Sequence, residues 1–304
     1  MKIGITSGAL ARYGAKRYEK MHLCGFDAVD LNMMSRTLPF YTCTEEELPA
    51  LVTAEKELAE KSGIEFTQTH GPWDYPPKDG TAEERDALMH DMRRAVQVTA
   101  LLGSKYMVVH PLTPFGTHEP EGVDAQTFQI NVDFWRTLMP TAKKHGVTVC
   151  LENMPFHHYS HSHPADILKI VRAVNDENFA ICLDTGHVNV FPEADIYAEI
   201  QLIKDKLRVV HIHDNDGKGD LHQLPYFGKL DWAAFGRAWR DIGFDGVFSF
   251  ECKPPLALPD ALYEKTLSLM PEMAREIVKE QAIRGLRSYG NTPIFRVCLC
   301  DTLA

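Results

Sequence analysis

Eight short apolar segments recur along this chain, and from the third onward they end in His, Asp or Glu. The endings are His70 in EFTQTHG, His110 in YMVVHP, Glu152 in VTVCLEN, Asp184 in FAICLDTGH, His211 and His213 in RVVHIHDND, and Glu251 in VFSFEC. A strand whose last inward side chain is an acid or an imidazole, repeated around a sheet, brings those groups to one place. The fold that does this is a closed parallel barrel, with its chemistry at the C-terminal mouth. The expected class is therefore α/β: a single (β/α)8 TIM barrel with its active site at that mouth, and a metal-dependent enzyme rather than a passive domain.

Hydrophobic period orders the elements. Strands are expected at 2–6, 28–32, 65–70, 106–110, 148–152, 179–184, 207–213 and 247–251. Helical patterns fall between them at 44–62, 81–102, 124–145, 164–174, 192–204, 232–242 and 260–287. Two helices open on a Thr-x-x-Glu capping box, Thr44 with Glu47 and Thr81 with Glu84. Gly63, Gly103, Gly146 and Gly243 stand where helices must reverse. The longest irregular stretches, 71–80, 111–123, 153–163 and 214–231, all follow strands, as substrate loops do. One barrel spans 1–288, and the tail 289–304 has no readable role.

Composition narrows the partners. At 304 residues and 44% hydrophobic, the chain is long enough for such a barrel as one domain. With 42 acidic against 32 basic residues its net charge is −10, which argues against gripping a nucleic-acid backbone. MKIGITSG runs straight into a strand without a signal-peptide pattern, and no apolar run approaches the ~18 residues of a membrane span. The seven cysteines form no framework: Cys150 and Cys182 should face the barrel interior, while Cys24, Cys43, Cys252, Cys298 and Cys300 are scattered. Reduced thiols in a cytoplasmic protein are the expectation.

Strand parity decides which polar groups meet. His211 and His213 share one face, with Val210 and Ile212 turned outward to the helices. By the same count Cys150 lies with Glu152, Cys182 with Asp184, and Ser249 with Glu251. A buried carboxylate must be protonated, paired or bound to a cation. Lys253 is the nearest basic residue to these strand ends. Three carboxylates and several histidines without matching cations favour a metal.

HGP at His70, VVHP at His110, LEN at Glu152, LDTGH at Asp184 and His187, HIHDND at His213, DLH at Asp220 and His222, and FSFE at Glu251 together resemble the xylose-isomerase-like TIM-barrel superfamily. That group holds sugar isomerases and epimerases together with endonuclease IV, and the motifs run in order from about residue 2 to residue 255. The resemblance to its sugar-epimerase branch implies a single metal held by Glu152, Asp184, His213 and Glu251. Three oxygen ligands and one imidazole suit Mn2+ or Mg2+, with Co2+ or Zn2+ as further options. It also implies that Glu152 and Glu251 exchange the proton through a cis-enediolate, and that His187 binds substrate. Asp220 and His222, ahead of Gly228-Lys-Leu-Asp-Trp232, would bind hydroxyls or close the mouth, with His70 and His110 beside them. Trp73, Tyr75 and the run 155–159 look like walls around a small sugar or polyol derivative.

The same resemblance supplies a rival. Endonuclease IV binds three zinc ions through nine ligands, and His70, His110, Glu152, Asp184, His187, His213, Asp220, His222 and Glu251 match all nine. Net acidity and the lack of a basic, aromatic-laced stretch in the mouth loops speak against a nuclease. A sugar-directed lyase or C-glycoside-cleaving enzyme is a further alternative, and a homo-oligomer is compatible with each. Two departures from ketohexose 3-epimerases bear on substrate: His158 stands where they carry a second glutamate, and Gly219, beside Lys218, where they carry an arginine. The histidine-rich run 157–163 is expected to brace the pocket rather than to hold a second metal.

Overall fold

The computed structural model describes residues 1–279; the tail at 289–304 and the end of the helix expected at 260–287 lie outside the described residues. Eight strands are present: β1 (Ile3–Thr6), β2 (Ala28–Asn32), β3 (Glu65–His70), β4 (Tyr106–Val109), β5 (Thr148–Glu152), β6 (Phe179–Asp184), β7 (Leu207–His211) and β8 (Phe248–Phe250). They pair in the order β7-β6-β5-β4-β3-β2-β1-β8, every neighbour parallel. Ile212 joins the two ends. Its N–H donates to the Ser249 carbonyl at 2.8 Å, and its own carbonyl accepts from Glu251 N–H at 3.0 Å. The chain is a single (β/α)8 barrel.

Helices α1 (Arg17–Leu23), α2 (Pro39–Thr42), α3 (Leu48–Glu60), α4 (Ala82–Leu102), α5 (Asp124–His145), α6 (Pro164–Val174), α7 (Thr185–Asn189), α8 (Ile196–Ile203), α9 (Trp232–Asp241) and α10 (Asp260–Val278) accompany the strands. The capping box of α4 forms as expected, Glu84 N–H to Thr81 Oγ1 at 3.1 Å and Thr81 N–H to Glu84 Oε2 at 3.0 Å. Gly63, Gly103, Gly146 and Gly243 all take positive φ at the reversals.

Two apolar cores result. The larger lies between strands and helices and includes Val210, Ile212, Trp135, Phe235 and Phe248. The smaller, inside the barrel, consists of Val108, Cys150, Ala180, Cys182 and Val209. The outward and inward parity of the HIH run is therefore as expected. The five described cysteines are free, and no described helix is long and apolar enough to cross a membrane.

Most strand and helix ends fall within a residue or two of expectation, β4 stopping at Val109 and β8 at Phe250, and the larger differences have physical reasons. Regular β7 stops at His211 rather than 213, because Ile212 turns its backbone from β6 to β8 to close the ring. The segment expected as a helix from 192 becomes regular only at Ile196, where the Asp195 carboxylate caps Tyr197 and Ala198 N–H at 2.9 and 3.2 Å. The Thr44–Glu47 box forms, but as a turn preceding α3. Short α1, α2 and α7 escape sequence periodicity, being at most 7 residues long.

Candidate active site

Two bulges set the inward register. Between β2 and β3 pairing passes from Val29–Phe66 to Asp30–Gln68, leaving out Thr67; between β6 and β7 it passes from Ile181–Leu207 to Cys182–Val209, leaving out Arg208. A bulge of this kind re-aims every following side chain. Above the small apolar plug the barrel then carries a polar deck. Asp30, Gln68, His70, Glu152, Asp184, His211 and His213 are each at most 3% exposed.

The ligand-type side chains gather in overlapping groups: His70, His110 and Glu152; Glu152, Asp184, His211 and Glu251; Glu152, Cys182 and His211; and His187, His213, Asp220 and His222. Asp184 bridges two of them, its Oδ1 lying 2.9 Å from His213 Nε2. The four residues expected as a single metal set thus divide. The three carboxylates surround His211, and His213 stands with His187, Asp220 and His222, linked back through Asp184.

Backbone carbonyls orient the imidazoles. His70 Nδ1–H donates to Gly71 O at 3.0 Å, His187 Nδ1–H to Asn153 O at 2.7 Å, and His222 Nδ1–H to Glu251 O at 2.6 Å. In each ring the remaining Nε2 faces the site, the orientation that histidines adopt as metal ligands once that nitrogen gives up its proton. His70 Nε2 is 3.0 Å from His110 Nε2, and Glu152 Oε2 lies 3.0 Å from the latter. Asp184 Oδ2 and His213 Nε2 are buried without a hydrogen bond. Buried donor atoms left unpaired and convergent fit a divalent cation; the nitrogen and oxygen set suits Mn2+, Zn2+ or Co2+ as well as Mg2+.

No lysine or arginine pairs with these carboxylates among the described residues, so the imidazoles carry the balancing charge. Burial opposes protonation of His211, yet Cys182, Glu152, Glu251 and Asp30 outweigh it and hold its pKa well above the ordinary value. Burial likewise opposes ionisation of Glu152 and Glu251, but His211 draws both below the usual carboxylate range. His222 is pushed up to about 9, Asp220 and Glu251 overcoming burial. His110 moves the other way, lowered by burial.

Several site residues were not legible as such. The sequence marks His211 only as a strand ending; in the structure its Nδ1 lies 2.7 Å from Glu152 Oε1 and 3.0 Å from Glu251 Oε2. Lys253, the expected nearest partner, is exposed instead. Asp30 and Gln68 obey the same period-2 rule, one layer deeper. Asn153 anchors Asp184 by accepting its N–H at 2.8 Å and donating to its carbonyl at 3.1 Å. Asp214 holds the loop that follows His213, accepting from Gly228 N, Leu230 N and Trp232 Nε1 at 2.8–3.1 Å.

The expected walls are partly present. Trp73 is half-buried, its ring 4.6 Å from His110 and 5.6 Å from Tyr75. Tyr159 is no wall: it is buried, donating to Leu112 O at 2.6 Å. In the 157–163 run, His161 donates to Asp124 O at 3.2 Å and His163 packs 4.0 Å from the Phe191 ring. None of its histidines joins a ligand group among the described residues.

A parallel eight-stranded barrel with imidazoles and carboxylates pooled at its C-terminal mouth carries its polar groups where TIM-barrel enzymes have their active sites. Residues 18–273 match the xylose isomerase-like TIM barrel family, and the chain belongs to it. A D-psicose 3-epimerase of Ruminiclostridium cellulolyticum is 25% identical over 240 residues, covering 77% of this chain and 76% of the relative. A probable endonuclease 4 of Bacillus thuringiensis is 29% identical over 203 residues, 60% of this chain and 64% of the relative. The solved structure of a D-psicose 3-epimerase with D-tagatose from Clostridium cellulolyticum shares the fold, with a TM-score of 0.75 at 18% identity over 92% of this chain and 100% of that one.

Proposed function

We propose that this protein is a divalent-metal-dependent isomerase or epimerase of a small sugar or sugar derivative, working by proton transfer between Glu152 and Glu251. Relatives named as sugar epimerases support the general class. The observation that carries the mechanism is that the two glutamates, from β5 and from the end of β8, share one donor, His211 Nδ1, at 2.7 and 3.0 Å. They therefore flank one point. When bound by Glu152, Asp184, His213 and Glu251, Mn2+ or Mg2+ would supply Lewis acidity at a carbonyl and its neighbouring hydroxyl.

One glutamate removes the proton from the carbon between these oxygens, and the other returns a proton to the cis-enediolate. His187, Asp220 and His222 hold substrate hydroxyls. His70, His110 and the Trp73 ring shape the opposite wall and exclude water. The free thiols fit a reducing, cytoplasmic setting. The test is incubation of manganese-loaded protein with ketoses and keto-inositols in D2O, followed by NMR. Deuterium should enter the product at the carbon between carbonyl and hydroxyl. Turnover without deuterium points to hydride transfer or to return of the same non-exchanging proton by one base, and either sinks the two-glutamate reading.

A zinc phosphodiesterase is the second reading. It is favoured by one observation, that all nine residues matching endonuclease IV fall into the overlapping ligand groups. The net charge of −10 weighs against a phosphate-backbone substrate.

A further inference from the structure

We propose that Asp30 is a positioning residue for this site, acting through His211. Asp30 lies on β2, is 3% exposed, and touches none of the expected metal ligands. Its Oδ2 accepts from His211 Nε2 at 2.8 Å and from Gln68 Nε2 at 3.0 Å. No lysine or arginine reaches it among the described residues. An ionisable carboxylate in a barrel interior is costly. Elsewhere the same interior is filled with Val108, Cys150, Cys182 and Val209 at no such cost.

What Asp30 provides is orientation. With Nε2 tied below, the His211 ring presents Nδ1 upward to Glu152 Oε1 and Glu251 Oε2. A half-turn about the Cβ–Cγ bond would put carbon where each nitrogen now sits and abolish all three contacts. One oxygen of each glutamate is thus fixed from beneath, and the other is left for the mouth. Gln68 locks Asp30 in turn, so Gln68, Asp30, His211 and the two glutamates form one continuous chain, buried up to Glu251 at the mouth. Hydrogen-bond partners of this kind, one step removed from ligating groups, typically contribute about 10- to 100-fold in metal affinity or activity.

The kinetic arm of the test rests on the proton-transfer reading, and the metal-binding arm does not. Metal-free full-length protein, Asp30→Asn and Asp30→Ala are titrated with Mn2+ alone, and kcat and KM are then measured at saturating Mn2+ on whichever ketose or keto-inositol reacts. Asp30→Ala should weaken Mn2+ binding by about 10-fold or more and lower kcat by about 10- to 100-fold, with KM within about threefold; Asp30→Asn should fall between it and the parent. Mn2+ affinity and kcat both unchanged in Asp30→Ala would overturn the proposal. A parent inactive on every sugar, with Mn2+ binding still weakened by Asp30→Ala, removes the epimerase reading and leaves the positioning role standing. Should the variants not fold, 15N-histidine NMR of the parent decides. An exchange-protected Nε2–H signal from His211 supports the arrangement, and a rapidly exchanging Nε2–H refutes it.

Discussion

His213 Nε2 stands 2.9 Å from Asp184 Oδ1 with no hydrogen bond between Nε2 and any neighbour, at the seam between two groups of ligand-type side chains. Two ligand-type atoms so close, without hydrogen-bond geometry between them, fit a shared cation. If the four-residue set binds as proposed, purified protein should hold about one tightly bound divalent ion per chain. Elemental analysis measures this directly. Three zinc ions resistant to mild chelation would promote the phosphodiesterase reading, and unchanged metal content in Asp184→Ala would mean that the site lies elsewhere.

Replacing Glu152 or Glu251 by Gln keeps an oxygen and most of the shape while removing the base. Turnover should drop by roughly 10²-fold or more in each variant, as positioned acid–base groups usually contribute 10²–10⁴-fold. Circular dichroism alongside the kinetics separates lost chemistry from lost structure. A parental rate in both variants ends the proposal.

Gly186, at the start of α7, is a second control point. A Cβ there would lie 1.9 Å from His213 Cε1, an overlap that the ring relieves only by leaving its place. Gly186→Ala should therefore lower metal content and Mn2+ affinity by about tenfold or more while the barrel remains folded. A crystal structure of the variant with His213 unmoved would refute this account.

Stability should respond to pH through Asp79, in the loop after β3. It is 5% exposed, and burial raises its pKa to about 6, against the pull of the Thr113 N–H that it accepts at 2.8 Å. Because the folded value exceeds the unfolded one, the folded state holds the proton more tightly. Its contribution is full below the ordinary aspartate value of 3.8 and is lost as pH rises through about 6. At roughly 1.4 kcal/mol per unit, the change is on the order of 2–3 kcal/mol. Urea unfolding of the parent and Asp79→Asn at several pH values should show their stability difference shifting across that window. A difference constant from pH 4 to 7 would exclude Asp79 as the titrating group.

Much of the site could be read from period 2. Counting back from Glu152, Asp184, His213 and Glu251 identifies the inward face, and Cys150, Cys182 and Val209 do lie inside. Depth is what the count lacks. His211 shares the face of His213 but sits one layer lower, where it meets Asp30 rather than the mouth. Asp30 and Gln68 each lie two residues before a strand end, at Asn32 and His70, where no strand ending marks them. Thr67 and Arg208, left out at the two bulges, obey no local pattern. Closure through Ile212 is equally non-local, since it depends on β8 arriving beside β7.

Glu152 belongs to three of the ligand groups, and Asp184 joins two. Ions seated on two of these groups would share a carboxylate, and the affinity of each position would depend on whether the other is filled. Such coupling is reciprocal. The number of ions carried would then be a function of free metal concentration and of what the substrate itself donates. On a scaffold wired in this way, evolution can move between one ion and several by retuning a shared carboxylate, without shifting a strand.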